Sequence, residues 1–278
     1  MNPSIQTNEH SHAQQTIQAN GIDIAFRFDG PEGAPVILMA NSLMSDYSMW
    51  DWNVPALTDR YRVLRFDKRG HGGSETTPAP YNMGQLADDA VALLDALKID
   101  QVHFIGLSMG GMIGQQLGAR YPERIRSLSL CDTASEMPPR SLWEDRFALA
   151  RKEGISGLVT GTIGRWFTAP FIERAPQDIE KVRQMILGTG LEGYLGCASA
   201  VRDMAQTTML LKIKALTLIV TGRQDPACTV DQAIVLNRMI DGSQLVILED
   251  AAHLSNIEQP TAFNRTIRDF IDTVDDSL

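Results

Sequence analysis

Cysteine is scarce in this chain: Cys131, Cys197 and Cys228 are the only three in 278 residues. None stands in a CxxC or other metal-ligand spacing, which argues against a structural zinc site, a redox dithiol and a disulfide framework. An odd, sparse set suits a reducing compartment, and each is expected as a small buried apolar side chain. Long apolar runs are missing too, none approaching the roughly 18 residues that a membrane span needs. Residues 1–16, MNPSIQTNEHSHAQQT, lack the apolar stretch of a signal peptide and are expected to form a mobile tail. Positive charge is in deficit, 25 Lys and Arg against 34 Asp and Glu, for a net charge of −9. That balance argues against nucleic-acid and anionic-membrane partners, while a local basic pocket could still hold a small anion. Repeats, low-complexity stretches and long linkers are absent. The expectation is a cytoplasmic protein whose partner is a small molecule.

What is present is a sizeable core, with 44% of residues hydrophobic, enough for one large domain. IQANGIDIAFRF sets Asn20-Gly21 between two alternating apolar runs, the signature of a hairpin. Apolar strands then alternate with helical patterns. PVILMA and YRVLRFD read as strands, with a short helix near 50–57 between them. The stretch NMGQLADDAVALLDALKI places Leu86, Ala90, Leu93, Leu94 and Leu97 at helical spacing. VHFIGLS is the next strand, GGMIGQQLGARY a helix that stops at Pro122, and IRSLSLCD a strand. From Thr133 to about Met209 no buried strand is legible, and three segments read as helices. ALTLIVTG and QLVILED resume the strands, and PTAFNRTIRDFIDTV closes the chain as a helix. This rhythm predicts an α/β fold with a mostly parallel eight-stranded sheet, helices on both faces and an antiparallel edge. The core is expected over 17–133 and 210–278, with 134–209 inserted as a helical cap.

Gly106-Leu107-Ser108-Met109-Gly110 is a G-x-S-x-G between a strand and a helix, the context that gives the motif meaning. The glycines allow a turn sharp enough to expose the serine above the sheet. The Met109 N–H then lies at a helix N-terminus, where an oxyanion would form. Ser108 is the expected nucleophile.

A serine hydroxyl needs a base, and the chain holds five histidines. His10 and His12 fall in the tail. His71, in RGHGGS, suits packing or turn bonding, and His103, inside a strand, suits a satisfied core position. His253, in the loop after LVILE, shares a rim of the sheet with Ser108 and is the expected base. Asp225, just after the strand TLIV, is the preferred acid to orient it. Asp132, at another strand end, is the rival. Asp231 and Asp250 read as caps or exposed groups.

With those residues in place the sequence resembles the α/β-hydrolase superfamily from about 17 to 275, and within it most nearly the 3-oxoadipate enol-lactonases of aromatic catabolism. The segments that carry the resemblance are NSL, YSMWDWNVPALTDRYRVLRFDKRGHGGSE, FIGLSMGGMIGQQLGARYPERI, RWFT, DPA and AHLSNIEQP. Asn41-Ser42-Leu43 is the most specific, because most superfamily members carry His-Gly in place of Asn-Ser. The resemblance implies catalytic Ser108, Asp225 and His253, an oxyanion hole from the backbone N–H groups of Leu43 and Met109, and a substrate pocket between sheet and cap. Asn41 and Ser42 would hold their loop by local hydrogen bonds, and Leu43 and Met44 would contribute to the pocket wall. Trp143 matches a cap tryptophan that faces the substrate; Trp166 is expected to pack within the cap.

The chain departs from the lactonase pattern at two positions. Met44 stands where a loop glycine is usual. Glu136 stands near the place of a basic residue, where its carboxylate would repel an acidic lactone, so Arg140 or Arg146 would have to supply positive charge. The expected activity is acyl transfer through Ser108 on a small lactone, with no metal or organic cofactor. The alternatives are an esterase or lactonase for a neutral substrate, such as an aryl ester or acyl-homoserine lactone, then a C–C bond hydrolase, then a non-catalytic receptor on the same fold.

Overall fold

A computed structural model describes residues 13–277. Most of the expected tail, with His10 and His12, lies outside them. The expectation of a tail to residue 16 is corrected where it can be compared, since β1 (Gln15–Ala19) already pairs with β2 (Ile22–Asp29). The turn between them has Asn20 at φ 48° and Gly21 at φ 77°, the left-handed pair that a two-residue hairpin requires.

The remaining strands are β3 (Val36–Ala40), β4 (Arg62–Phe66), β5 (Val102–Leu107), β6 (Ile125–Cys131), β7 (Leu216–Gly222) and β8 (Gln244–Leu248). They form one eight-stranded sheet in the order β1-β2-β4-β3-β5-β6-β7-β8. From β4 to β8 every neighbouring pair is parallel, and the antiparallel pairs lie at the β1–β2–β4 end. All six residues of β5 are buried, as expected of a strand covered on both faces. Because β3, β5, β6, β7 and β8 run the same way, the segments that follow them share one rim. Asn41, Ser108, Asp132, Asp225 and His253 all stand on it.

Helices α1 (Met83–Ala96) and α2 (Met109–Arg120) fill the first crossovers. The Asn82 side chain accepts from the Gln85 N–H and starts α1, whose Leu86, Ala90, Leu93 and Leu94 are buried. Between β6 and β7 come α3 (Arg140–Glu153), α4 (Val159–Trp166), α5 (Ala169–Arg174), α6 (Pro176–Leu187) and α7 (Leu191–Asp203). The sequence pattern had indicated three of these; α4 and α5 are too short to show a clear period. Helices α8 (Val230–Met239), α9 (Ser255–Glu258) and α10 (Pro260–Asp276) complete the chain. The helix expected near 50–57 is instead two 3₁₀ turns, Tyr47–Trp50 and Val54–Ala56. Pro55 cannot donate a helical N–H, which ends any longer run. Among the described residues no helix is long and apolar enough to cross a membrane.

Candidate active site

The turn from β5 into α2 is made by close backbone approach. A Cβ on Gly106 would stand 2.3 Å from the Gly110 carbonyl oxygen, and one on Gly110 would stand 2.0 Å from that of Ala40. Neither position can carry a side chain without moving the strand or the helix. Between them Ser108 adopts φ 56°, ψ −116°, a left-handed backbone that costs energy in a non-glycine residue. Its N–H donates to the Cys131 carbonyl at 2.8 Å, and its own carbonyl accepts from the Thr133 hydroxyl at 2.7 Å. The strained residue is therefore tied to the end of β6.

The Ser108 hydroxyl lies 2.9 Å from His253 Nε2, and His253 Nδ1 lies 2.8 Å from Asp225 Oδ2. A neutral imidazole protonated at Nδ1 satisfies both contacts, donating to Asp225 and accepting from Ser108. The other carboxylate oxygen of Asp225 accepts from the Ala227 N–H at 2.7 Å and the Cys228 N–H at 3.0 Å. Both oxygens are thus occupied, and the carboxylate cannot rotate away from the histidine. Asp132 takes no part in this chain of bonds. It accepts from the Gly222 N–H at 2.8 Å and from the Ser255 hydroxyl at 2.5 Å. Burial, reinforced by the charge of Asp225, raises its pKa well above the ordinary carboxylate value.

The other two histidines among the described residues, His103 and His71, have partners elsewhere. His103 is bonded to Ser127 at Nδ1 (2.8 Å) and to Asp275 at Nε2 (3.1 Å) inside the core. His71 accepts from the Met44 N–H at 3.1 Å, a turn-bonding role that reaches into the loop after β3.

In that loop the Asn41 side chain donates to the Ser45 carbonyl at 2.5 Å, and the Ser45 hydroxyl donates to the Ser42 carbonyl at 2.7 Å. Asn41 does hold the loop, but it does not line the cavity. Ser42 contributes to the lining rather than to the side-chain bonding. Among the described residues the Leu43 N–H donates to no atom.

A cavity of about 160 Å³ opens beside Ser108 and His253. Ser42, Leu43 and Met44 form one wall, with Met109 and Met112 on the helix side. Helices α3 and α4 cover it with Leu142, Trp143, Arg146, Arg165 and Trp166. Trp143 lines the cavity, its Nε1 donating to the Met137 carbonyl at 3.1 Å. Two expectations are corrected. Arg140 points outward and pairs with Asp203 at 2.7 Å, because it opens α3 at the solvent end of its first turn. Trp166 is not confined to packing among helices; its ring lies 6.5 Å from the His253 ring, tilted by 33°.

Glu136 is exposed and outside the cavity. Its carboxylate accepts from the Thr207 hydroxyl at 2.8 Å, and its carbonyl accepts from Gln232. The repulsion expected from it is therefore absent from the cavity wall. Arg165 was not singled out from sequence. A signal existed: VTGTIGRW carries one charge and no acidic residue to pair with it. Neither Arg146 nor Arg165 has a carboxylate partner among the described residues. Arg146 lies over the Trp143 ring at 5.2 Å, and its Nε is buried without a hydrogen-bond partner. Burial and the neighbouring charge of Arg146 lower the pKa of Arg165.

Among the described residues one His/Cys/carboxylate trio has metal-like spacing, Asp225, Cys228 and His253. Two of its members are already bonded to each other, and burial raises the Cys228 thiol well above its ordinary pKa, which keeps it protonated. The group fits acid–base work better than a metal ion.

The eight-stranded fold that brings these three strand ends together agrees with comparison to known proteins. Residues 35–177 match the family model described as the alpha/beta hydrolase fold. The chain belongs to the α/β-hydrolase family. The hydrolase is 36% identical to 3-oxoadipate enol-lactonase 2 of Acinetobacter baylyi, over 92% of this chain and 96% of that protein. It is also similar to the solved enol-lactonase of Burkholderia xenovorans LB400, at 39% identity and a TM-score of 0.91, covering 93% of this chain and all of that one. A thermophilic esterase from Thermogutta terrifontis, solved with malate bound, is 30% identical with a TM-score of 0.87, over 94% and 99% of the two chains. The hydrolase thus matches two enol-lactonases and an esterase over more than nine-tenths of its length.

Proposed function

We propose that this hydrolase opens a small lactone that carries a carboxylate, with 3-oxoadipate enol-lactone as the leading substrate, through an acyl-enzyme on Ser108. One observation carries the choice of substrate: Arg146 and Arg165 line a largely apolar cavity beside Ser108 without a carboxylate partner. Half-buried guanidinium groups with no counter-ion are costly, and an anionic ligand offsets that cost. The naming of two relatives as enol-lactonases supports the same substrate class.

In this reading His253 takes the Ser108 proton as the hydroxyl oxygen attacks the ring carbonyl, and Asp225 stabilises the resulting imidazolium. The N–H groups of Leu43 and Met109 receive the oxyanion, each contributing about 3 kcal/mol to lowering the barrier. Collapse of the tetrahedral centre breaks the ring C–O bond and expels an enolate. The enolate takes the proton from His253 and tautomerises to a ketone. A water molecule then gives a proton to His253 and attacks the ester. The released serine recovers its proton, and the acid leaves with one more oxygen than the lactone.

Residues 134–209 are the cap in this reading, since α3 and α4 supply the arginines and tryptophans that close the site. The three cysteines, all free and buried, support a reducing, cytoplasmic setting. The second reading is an esterase for a neutral aryl ester, which the apolar wall of Met44, Met112 and Leu142 favours. Rates on an acidic enol-lactone and on its methyl ester separate the two. A kcat/KM at least tenfold higher for the acid supports the proposal, and a preference for the ester overturns it.

A further inference from the structure

The loop that carries Leu43 is buried, yet its shape is not one that its own sequence favours. Met44 sits at φ 61°, a left-handed conformation that disfavours any residue with a long side chain. Local bonds from Asn41 and Ser45 brace the loop from within. Two further groups brace it from the turn after β4. Lys68 Nζ donates to the Ser42 carbonyl at 2.6 Å and to the Ser45 carbonyl at 3.1 Å. His71 Nε2 accepts from the Met44 N–H at 3.1 Å. The three contacts fall at Ser42, Met44 and Ser45, on either side of Leu43, whose N–H donates to no atom among the described residues.

Both side chains are buried, Lys68 at 2% and His71 at 1% exposure. Lys68 has no ion-pair partner within 4 Å among the described residues, although the carboxylates of Asp67 and Asp46 act on it from nearby. A buried ammonium group is expensive unless it is fully used, and here its hydrogen bonds go to this loop. His71 must be neutral at Nε2 to accept the Met44 N–H. Burial and the charge of Lys68 hold its pKa well below 6.5, which preserves that lone pair. Nδ1 then carries the proton and faces Cys197 Sγ at 3.7 Å. Cys197 belongs to α7 and itself donates to the Arg69 carbonyl at 3.4 Å, so the bracing turn is also fixed to the helical segment.

We propose that Lys68 and His71 are positioning residues that hold Asn41–Ser45 in its strained form, so that the Leu43 N–H is presented to the oxyanion. Neither touches the reacting atoms. The inference rests on the reading of Leu43 as an oxyanion donor, and it extends that reading to two side chains on a different loop.

The test uses the whole protein and p-nitrophenyl acetate, a substrate that does not depend on the identity of the natural lactone. Lys68→Met and His71→Leu should lower kcat about 10- to 100-fold, less than outright removal of an oxyanion donor, with KM changed less than about threefold. The inhibition constant of an aryl trifluoromethyl ketone, which forms an oxyanion on Ser108, should rise by the same factor as kcat falls. His71→Gln, which can place an amide oxygen near the position of Nε2, should recover most of the loss. Should Lys68→Met fail to fold, the His71→Leu and His71→Gln pair decides alone. Unchanged kcat in folded His71→Leu overturns the proposal, as does a fall in kcat that leaves trifluoromethyl ketone affinity intact, or a His71→Gln variant as impaired as His71→Leu. Activity retained by Ser108→Ala, measured alongside, would instead overturn the underlying serine mechanism, so the two failures are distinguishable.

Discussion

Asp132 and Asp225 stand at the ends of adjacent strands, yet Asp225 is hydrogen-bonded to His253 while Asp132 bonds the Gly222 N–H and the Ser255 hydroxyl. The division of labour is written in the acceptors each has left. Asp225 turns one oxygen to the histidine, and Asp132 has none to spare. Asp225→Asn should therefore lower kcat by about 10³- to 10⁴-fold through loss of the correct tautomer. Asp132→Asn should stay within about tenfold of the unmodified protein, because an amide can bond both partners, its oxygen accepting from the Gly222 N–H and its N–H donating to the Ser255 hydroxyl. Asp132→Ala should lower stability by about 1–3 kcal/mol through the unpaired Gly222 N–H and Ser255 hydroxyl. Steady-state kinetics and urea unfolding of the three variants check this assignment, and an Asp132→Asn variant more impaired than Asp225→Asn would reverse it.

The two cavity arginines should separate binding from chemistry. Arg146→Met and Arg165→Met should each raise KM for a carboxylate-bearing lactone about 10- to 100-fold, the scale of a lost charge-assisted bond. Neither should alter KM for a neutral aryl ester by more than about threefold. Arg140→Ala, which breaks only an exposed pair with Asp203 and Glu144, should leave both substrates unaffected. Equal losses on acid and ester would remove the carboxylate from the proposal.

Lys68 also gives a stability signature. Burial lowers its pKa from 10.5 to about 8 in the folded protein, against the opposing influence of Cys197, Asp67 and Asp46; His71 faces the same turn as a neutral ring. Between pH 8 and 10.5 the unfolded chain holds the Lys68 proton while the folded chain has released it. The unfolded state then binds more protons, so this group's contribution to stability increases with pH. It is fully present above pH 10.5 and lost as pH falls through 8. The stability of the unmodified protein minus that of Lys68→Met should increase across this window by on the order of 2 kcal/mol. Urea unfolding at pH 7.5 and 10 measures it; a flat or falling difference contradicts the sign.

Gly110 tests the geometry of the turn itself. Its absent Cβ would stand 2.0 Å from the Ala40 carbonyl oxygen of β3, and neither strand nor helix has a flexible group there to yield. Gly110→Ala should cost more than about 3 kcal/mol or prevent folding, well above the usual effect of one added methyl group. A normal denaturation midpoint would show that the strand and helix can part without penalty.

The sheet and the serine motif were legible because each rests on local chemistry. Strand periods, the Asn20-Gly21 turn and the glycines around Ser108 are all properties of neighbours in sequence. His253 and Asp225 followed from the rule that side chains at the carboxyl ends of parallel strands share one rim. The cavity roof was only partly legible. Trp143 and Arg146 lie one turn apart on α3, but α4 is eight residues long and carries Arg165 and Trp166 to the site only through tertiary packing. Glu136 misled for the same reason: it lies in the segment between β6 and α3, near the site in sequence, while its carboxylate bonds Thr207, 71 positions away. Met44 stands out in sequence as a departure from glycine, but the bonds that sustain its backbone come from Lys68 and His71, on a separate turn.

The most direct measurement is acid-quench mass spectrometry of the protein mixed with 3-oxoadipate enol-lactone on the millisecond timescale, followed by peptide mapping. The prediction is a transient adduct of the full lactone mass on Ser108, carrying the newly freed ketone, which decays at the turnover rate and is absent from a folded, inactive Ser108→Ala variant. Turnover by Ser108→Ala, or an adduct borne by another residue, would contradict it.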